Sequence, residues 1–236
     1  MYGYGYGYYG FDWTYVLLII GMLLSLAAST RLKSTFSYYR KIRSASGLTG
    51  AETAERILRA AGITDVHVRA ISGSLTDHYD PRTKTVSLSE DIYDKTSLAA
   101  VGVAAHECGH AIQHAIGYAP LEFRSAIVPV ANFGSTLSWP LFLIGLFSGI
   151  RSLVTAGIVL FSLAVLFQLV TLPVEINASS RALKMLQSTG ILGSDETKGA
   201  RKVLTAAAMT YVAALAASIL QLLRLLILAG GRRRDD

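Results

Sequence analysis

Apolar and polar positions divide this chain into four long charge-free runs separated by polar stretches. The runs are Trp13–Thr30, Ser125–Ile150, Ser152–Val174 and Val203–Leu223, of 18, 26, 23 and 21 residues. A membrane helix needs about 20 apolar residues, so the pattern predicts four transmembrane helices rather than an apolar soluble bundle. Only Gly149-Ile150-Arg151-Ser152 separates the second run from the third, which predicts a transmembrane hairpin. Its first arm carries Pro129 and Pro140, which membrane helices tolerate as kinks, and its second arm is expected to end at Leu172-Pro173. Ser44 to about Phe123 is the one extended polar region and is therefore the expected extramembrane domain.

Within that region the periodicity changes several times. Thr49-Gly50-Ala51-Glu52 reads as a capping box opening an amphipathic helix that ends near Gly62. Val66-His67-Val68-Arg69-Ala70 alternates like a half-buried strand, with His67 on the polar face. Leu75–Asp80 and Lys84–Leu88 flank a turn at Asp80–Thr83 and predict a β-hairpin. A short helix is expected at Glu90–Asp94, then a longer one over 97–116, with Thr96 as N-cap and Gly117 and Pro120 closing it.

Composition and charge sharpen this picture. The 236 residues are 52% hydrophobic and 16% charged, well below the roughly 25% charge of ordinary globular chains. Net charge is +6, but the cations sit beside apolar runs: Arg31, Lys33, Arg40, Lys41 and Arg43, then Arg201, Lys202 and Arg232–Arg234. Such placement fits a lipid bilayer and the positive-inside tendency, and gives no indication of nucleic acid. With Asp12 on the other flank of the first run, the N-terminus is expected outside and the polar domain in the cytoplasm. The first run reads as an anchor and not a signal peptide, because its positive charge follows the apolar segment. Met1–Gly10 is Tyr/Gly low complexity suited to a membrane interface. Arg224, inside the expected fourth span (203–229), must snorkel or find a partner. Four spans also put Arg232–Arg234 outside, unless Leu222–Leu228 bends back along the surface. A single cysteine, Cys108, excludes an internal disulfide and reads as a packing residue.

The chemistry centres on His106-Glu107-Cys108-Gly109-His110, an H-E-x-x-H pattern. On a helix of ~3.6 residues per turn the two histidines share one face, where both can grip a Zn²⁺ while the glutamate serves as general base on water. A catalytic zinc needs a third protein ligand. His114 lies about 6 Å beyond His110 along the helix, too far for a metal centred between the pair. Glu175 is better placed, since the hairpin returns the chain to the same membrane face; pairing of Glu175 with Arg181 or a basic loop residue is the alternative.

His106–His114, Asp77-His78-Tyr79-Asp80-Pro81 and Glu175-Ile176-Asn177-Ala178-Ser179-Ser180-Arg181-Ala182 together resemble the YugP-type membrane zinc metallopeptidases of bacteria. The resemblance runs across nearly the whole chain and extends, more distantly, to the HtpX and CAAX-prenyl protease class. It implies that His106, His110 and Glu175 hold one zinc per chain and that Glu107 is the catalytic base. One departure stands out: where the wider class commonly has an aspartate four residues after the third ligand, this chain has Ser179. Orientation of a zinc histidine would then come from Asn177, Ser179 or a distant carboxylate such as Asp77. His78, Tyr79 and Arg181 are candidates for stabilising a developing oxyanion, and the hairpin near Leu75–Tyr79 for holding an extended substrate.

The expected protein is mainly α and polytopic, with about four transmembrane helices and a small α+β zincin-like catalytic domain in which a β-hairpin precedes the H-E-x-x-H helix. Its expected parts are a tail (1–12), a first span (13–30), the cytoplasmic catalytic domain (31–124) and the transmembrane hairpin (125–174). A third-ligand segment with a cytoplasmic helix (175–202), a fourth span (203–229) and a second tail (230–236) complete it. The expected activity is hydrolysis of peptide bonds in membrane or membrane-proximal proteins at the bacterial plasma membrane. The alternatives are an inactive zinc-bearing scaffold or an adaptor, and a homo-oligomer or a membrane partner subunit is compatible with either.

Overall fold

Four helices account for the apolar runs in the computed structural model, which describes residues 12–231. They are α1 (Tyr15–Tyr39), α4 (Ala119–Ser148), α5 (Arg151–Ser188) and α6 (Ser194–Gly231). In the most apolar windows of α1 and α5 only 6% of residues are buried within the chain, so most of these apolar side chains keep part of their surface uncovered by protein. Lipid is the solvent that such faces require. The chain is a membrane protein. The Tyr/Gly stretch Met1–Gly10 and Arg232–Arg234 lie outside the described residues.

Helix length exceeds membrane thickness, and the excess builds the extramembrane unit. At 1.5 Å per residue, the 38 residues of α5 extend about 57 Å against a hydrocarbon core of about 30 Å. The charge-free run stops near Pro173, but the helix does not: α5 continues unbroken to Ser188 and carries Glu175 on a regular turn. Likewise α1 runs through Arg31 and Lys33 and delivers Phe36 into the core of the polar domain. α4 accommodates Pro129 and Pro140 within one helix, and Gly149, at φ +75°, makes the left-handed turn into α5.

Strand and helix signals in the polar domain fall where the pattern puts them. In α2 (Gly50–Ala60) both halves of the capping box form, Glu52 N–H to Thr49 Oγ1 at 3.1 Å and Thr49 N–H to Glu52 Oε2 at 2.8 Å. The hairpin is β2 (His78–Asp80) antiparallel to β3 (Thr85–Ser89). β1 (His67–Ile71) pairs parallel on the other side of β3, giving the order β1-β3-β2, with His67 exposed. β3 is therefore central and buried at every position, while β2 is an edge.

Two local expectations change. Residues 90–94 are hydrogen-bonded turns and not a helix, because the carbonyls of Tyr93 and Lys95 accept the N–H groups of Ala51 and Gly50 at the start of α2. The N-cap of α3 (Leu98–Ala115) is Ser97, whose side chain accepts from Ala100 N–H at 3.2 Å, while the Thr96 carbonyl pairs with Ser44 N–H. α6 runs straight to Gly231 without a bend at Leu222–Leu228. Arg224 finds its partner across the bundle, its guanidinium 4.7 Å from the centre of the Tyr15 ring, so the far ends of α1 and α6 meet.

Candidate metal centre

α3 and α5 meet through the smallest residue of the H-E-x-x-H stretch. A methyl group at Gly109 would overlap the Ala178 carbonyl, so only glycine lets the two helices approach this closely. That approach carries Glu175, 3% exposed, to the histidines: its Oε2 lies 3.2 Å from His106 Nε2 and 3.6 Å from His110 Nε2. Zinc bonds of about 2.0–2.2 Å at tetrahedral angles require donors roughly 3.3–3.6 Å apart. The two distances from Glu175 to the imidazoles match that spacing, and two imidazoles with a carboxylate are a donor set that suits zinc. They form a cluster of possible ligands whose donor atoms all lie within 4.8 Å of one another. Glu107, on the same turn of α3 as both histidines, is almost fully buried and lines the same cavity. Burial pushes its carboxyl above the ordinary carboxylate range, against the pull of His106 and His110.

A family model for the "putative neutral zinc metallopeptidase" family matches residues 14–230. The chain belongs to this family. A protein of Bacillus subtilis (strain 168) described as "Putative membrane protease YugP" is 49% identical over 217 residues, which is 92% of this chain and 96% of that relative. No solved structure matches this chain.

Around the three donors, the metallopeptidase chain holds each imidazole by its other nitrogen. Ser179 Oγ lies 3.1 Å from His106 Nδ1. His110 Nδ1 lies 3.0 Å from Gln113 Oε1. The Gln113 amide has no freedom to flip, because its Nε2 donates to the Val174 carbonyl at 2.9 Å and to Asn177 Oδ1 at 3.0 Å. Asn177 Oδ1 is fixed in turn by Arg181 Nε at 2.7 Å. The relay Arg181–Asn177–Gln113 therefore presents an acceptor to His110 Nδ1, puts the proton there, and leaves Nε2 free as a donor atom. For His110, burial lowers proton affinity, but the Glu175 hydrogen bond and the Glu107 and Glu175 charges outweigh it, leaving a net upward shift.

The candidate site opens into a cavity of about 180 Å³ between α1, α3, α5 and α6. Asp77 and Ser179 line it beside Glu107. Asp77 also accepts from Ser89 N–H at 2.7 Å and Ser89 Oγ at 3.0 Å, tying the strand entry to β3, and burial raises its carboxyl. The other candidates fall elsewhere. His78 is exposed, its Nδ1 2.9 Å from the Thr76 carbonyl. Tyr79 bonds to His114 Nδ1 at 2.8 Å, and burial raises its phenol to about 12. Arg181 serves Asn177 and stacks over Tyr118. Cys108 is buried against the Ala54 carbonyl, with its thiol pushed up by burial.

Two polar groups come to the site from transmembrane helices and carry no local motif. Tyr211 of α6 lines the cavity and its phenol interacts with Glu175. Arg124 of α4 places a guanidinium nitrogen 3.8 Å from Glu175 Oε1, and its Nε is buried without a hydrogen-bond partner. Neither position was picked out by periodicity or spacing. The one available signal is that each is polar at the edge of, or within, an apolar run.

Proposed function

We propose that this chain is a membrane zinc metalloendopeptidase, gluzincin-like, that hydrolyses peptide bonds in membrane or membrane-proximal proteins. His106, His110 and Glu175 would hold one zinc, and Glu107 would be the general base. The observation that carries this reading is the convergence of three donor atoms of zinc-binding type, with the buried Glu107 carboxyl lining the same cavity as two of them, His106 and Glu175.

When bound, zinc polarises a peptide carbonyl and acidifies nearby water. The protein's own groups do the rest. Glu107 Oε takes the proton from the attacking water and returns it to the leaving amine, and burial suits it to this by raising its proton affinity. Ser179 and Gln113 keep both imidazoles in the ligating orientation. Tyr211 is the favoured donor to the charge that develops on the carbonyl oxygen, because its side chain lines the cavity and those of His78, Tyr79 and Arg181 do not. Leu32, Phe36, Leu75 and Val103 line the same cavity and favour an apolar side chain next to the scissile bond. The cations beside the catalytic ends of the spans, Arg31 to Arg43, favour the cytoplasmic face of the bacterial plasma membrane.

The test compares full-length wild type and Glu107→Gln, purified in detergent, for zinc content and cleavage of an unfolded labelled protein. Zinc in both, with cleavage reduced about 10²–10⁴-fold in the variant, is expected of a lost general base. Cleavage by the variant at the wild-type rate would refute the assignment. Zinc in both with cleavage in neither would favour a metal-bearing scaffold.

A further inference from the structure

On the faces of α1 and α6 turned away from the catalytic cavity lies a second cavity, of about 550 Å³. Arg31 enters it from α1, and Arg201 and Lys202 from α6. Ser34, Thr35 and Thr205 line it together with the cations, and no acidic residue does. None of the three cations has an ion pair or side-chain hydrogen bond among the described residues. Three like charges gathered into one groove repel one another and call for an anion.

The depth of the groove identifies the anion. α1 and α6 are packed closely, Gly21 against Ala217. Arg31 is the first charge after the run Trp13–Thr30, and Lys202 the last before Val203–Leu223. The cations therefore stand where the hydrocarbon ends, at the level of lipid phosphates, and Tyr38 at the groove is placed as an interfacial aromatic. A soluble anion would have no reason to be met at this depth between two membrane helices. We propose that the α1/α6 groove is a binding site for the headgroup of an anionic phospholipid, with Arg31, Arg201 and Lys202 on its phosphate and the three hydroxyls as supporting donors. Leu32 and Phe36 of α1, with Tyr211 of α6, face the metal cavity from the same two helices, so the bound lipid braces one wall of that cavity. The site itself does not depend on the proposed chemistry.

Full-length protein is equilibrated in mixed micelles of phosphatidylglycerol and phosphatidylcholine, and retained lipid is counted by native mass spectrometry. Three cations near a surface phosphate are together worth about a hundredfold in affinity, so a preference of that order for phosphatidylglycerol is expected. Arg31→Gln, Arg201→Gln and Lys202→Gln together should bring the two lipids near parity. Lys33→Gln, Lys41→Gln and Arg43→Gln together, equal in charge but off the groove, should leave the preference intact. Equal loss in both triple variants would reduce the effect to general surface charge and overturn the site, as would retention unchanged in the groove variant. Displacement of the lipid by inorganic phosphate would make the groove a phosphate-ion site and overturn the lipid assignment. Helical content of both triple variants by circular dichroism, unchanged if they fold, reads folding independently of lipid and of zinc.

Discussion

Gln113 is the residue whose importance is least visible in its surroundings and most testable. It sits three residues after His110, where a glutamine ordinarily reads as polar helix surface, yet it is fully buried and fixes the His110 tautomer. Gln113→Ala should lower zinc affinity about 10–100-fold, measured by competition with a chelating dye, because such supporting bonds are worth that much in metal sites. Unchanged affinity would remove the relay from the account. Proton competition gives a second prediction. Glu175 and Glu107 raise the proton affinity of His110 despite its burial, so in the metal-free protein His110 keeps a proton above the ordinary histidine range. Zinc must displace that proton, and apparent zinc affinity should therefore fall as pH falls through the range; a pH-independent affinity would contradict the ligand assignment. Tyr211→Phe should cut the cleavage rate by about 10²-fold with zinc retained, if its phenol meets the developing charge. His106, Glu107 and His110 were legible from spacing alone, because a helix converts four residues into one turn. Tyr211 and Arg124 were not, since nothing local links Tyr211, in an apolar helix, to a motif 101 residues before it, or Arg124, at the edge of another, to Glu175.

At the level of elements, the capping box, the hairpin and the four long helices could all be read from local pattern. Their signals are short-range: a side chain capping its own helix, a turn joining adjacent strands, an uninterrupted apolar run. What pattern did not reveal was pairing at a distance. β1 joins β3 in parallel, and nothing in either strand specifies that register. The segment 90–94 is a turn and not the expected helix because the Tyr93 carbonyl, with that of Lys95 just beyond, is committed to α2, a pairing that no window of sequence contains. Helix α5 does not stop where the charge-free run does, near Pro173, as burial of Val174, Glu175 and Ala178 against neighbouring elements keeps it going where polarity changes. Gly109 is the element-scale hinge of the site. Gly109→Ala should force α3 and α5 apart, at a cost of about 1–3 kcal/mol for overpacking, and draw Glu175 from the histidines. Loss of bound zinc with helical content retained by circular dichroism is the expected result; full zinc occupancy would show that the close approach is dispensable.

For the whole molecule, the arrangement follows from helices longer than the membrane is thick. α1, α5 and α6 carry their surplus turns out of the lipid and into one extramembrane core with α2, α3 and the sheet. A site assembled between α3 and α5 thus ties the polar domain to the transmembrane hairpin. The central claim is that His106, His110 and Glu175 together hold one zinc, and X-ray absorption of the zinc-loaded full-length protein tests it most directly. The account predicts one zinc per chain with nitrogen and oxygen neighbours at about 2.0–2.2 Å, two of them imidazoles, and loss of an oxygen neighbour or of the metal in Glu175→Ala. A sulfur neighbour, or a spectrum and stoichiometry unchanged in Glu175→Ala, would contradict it.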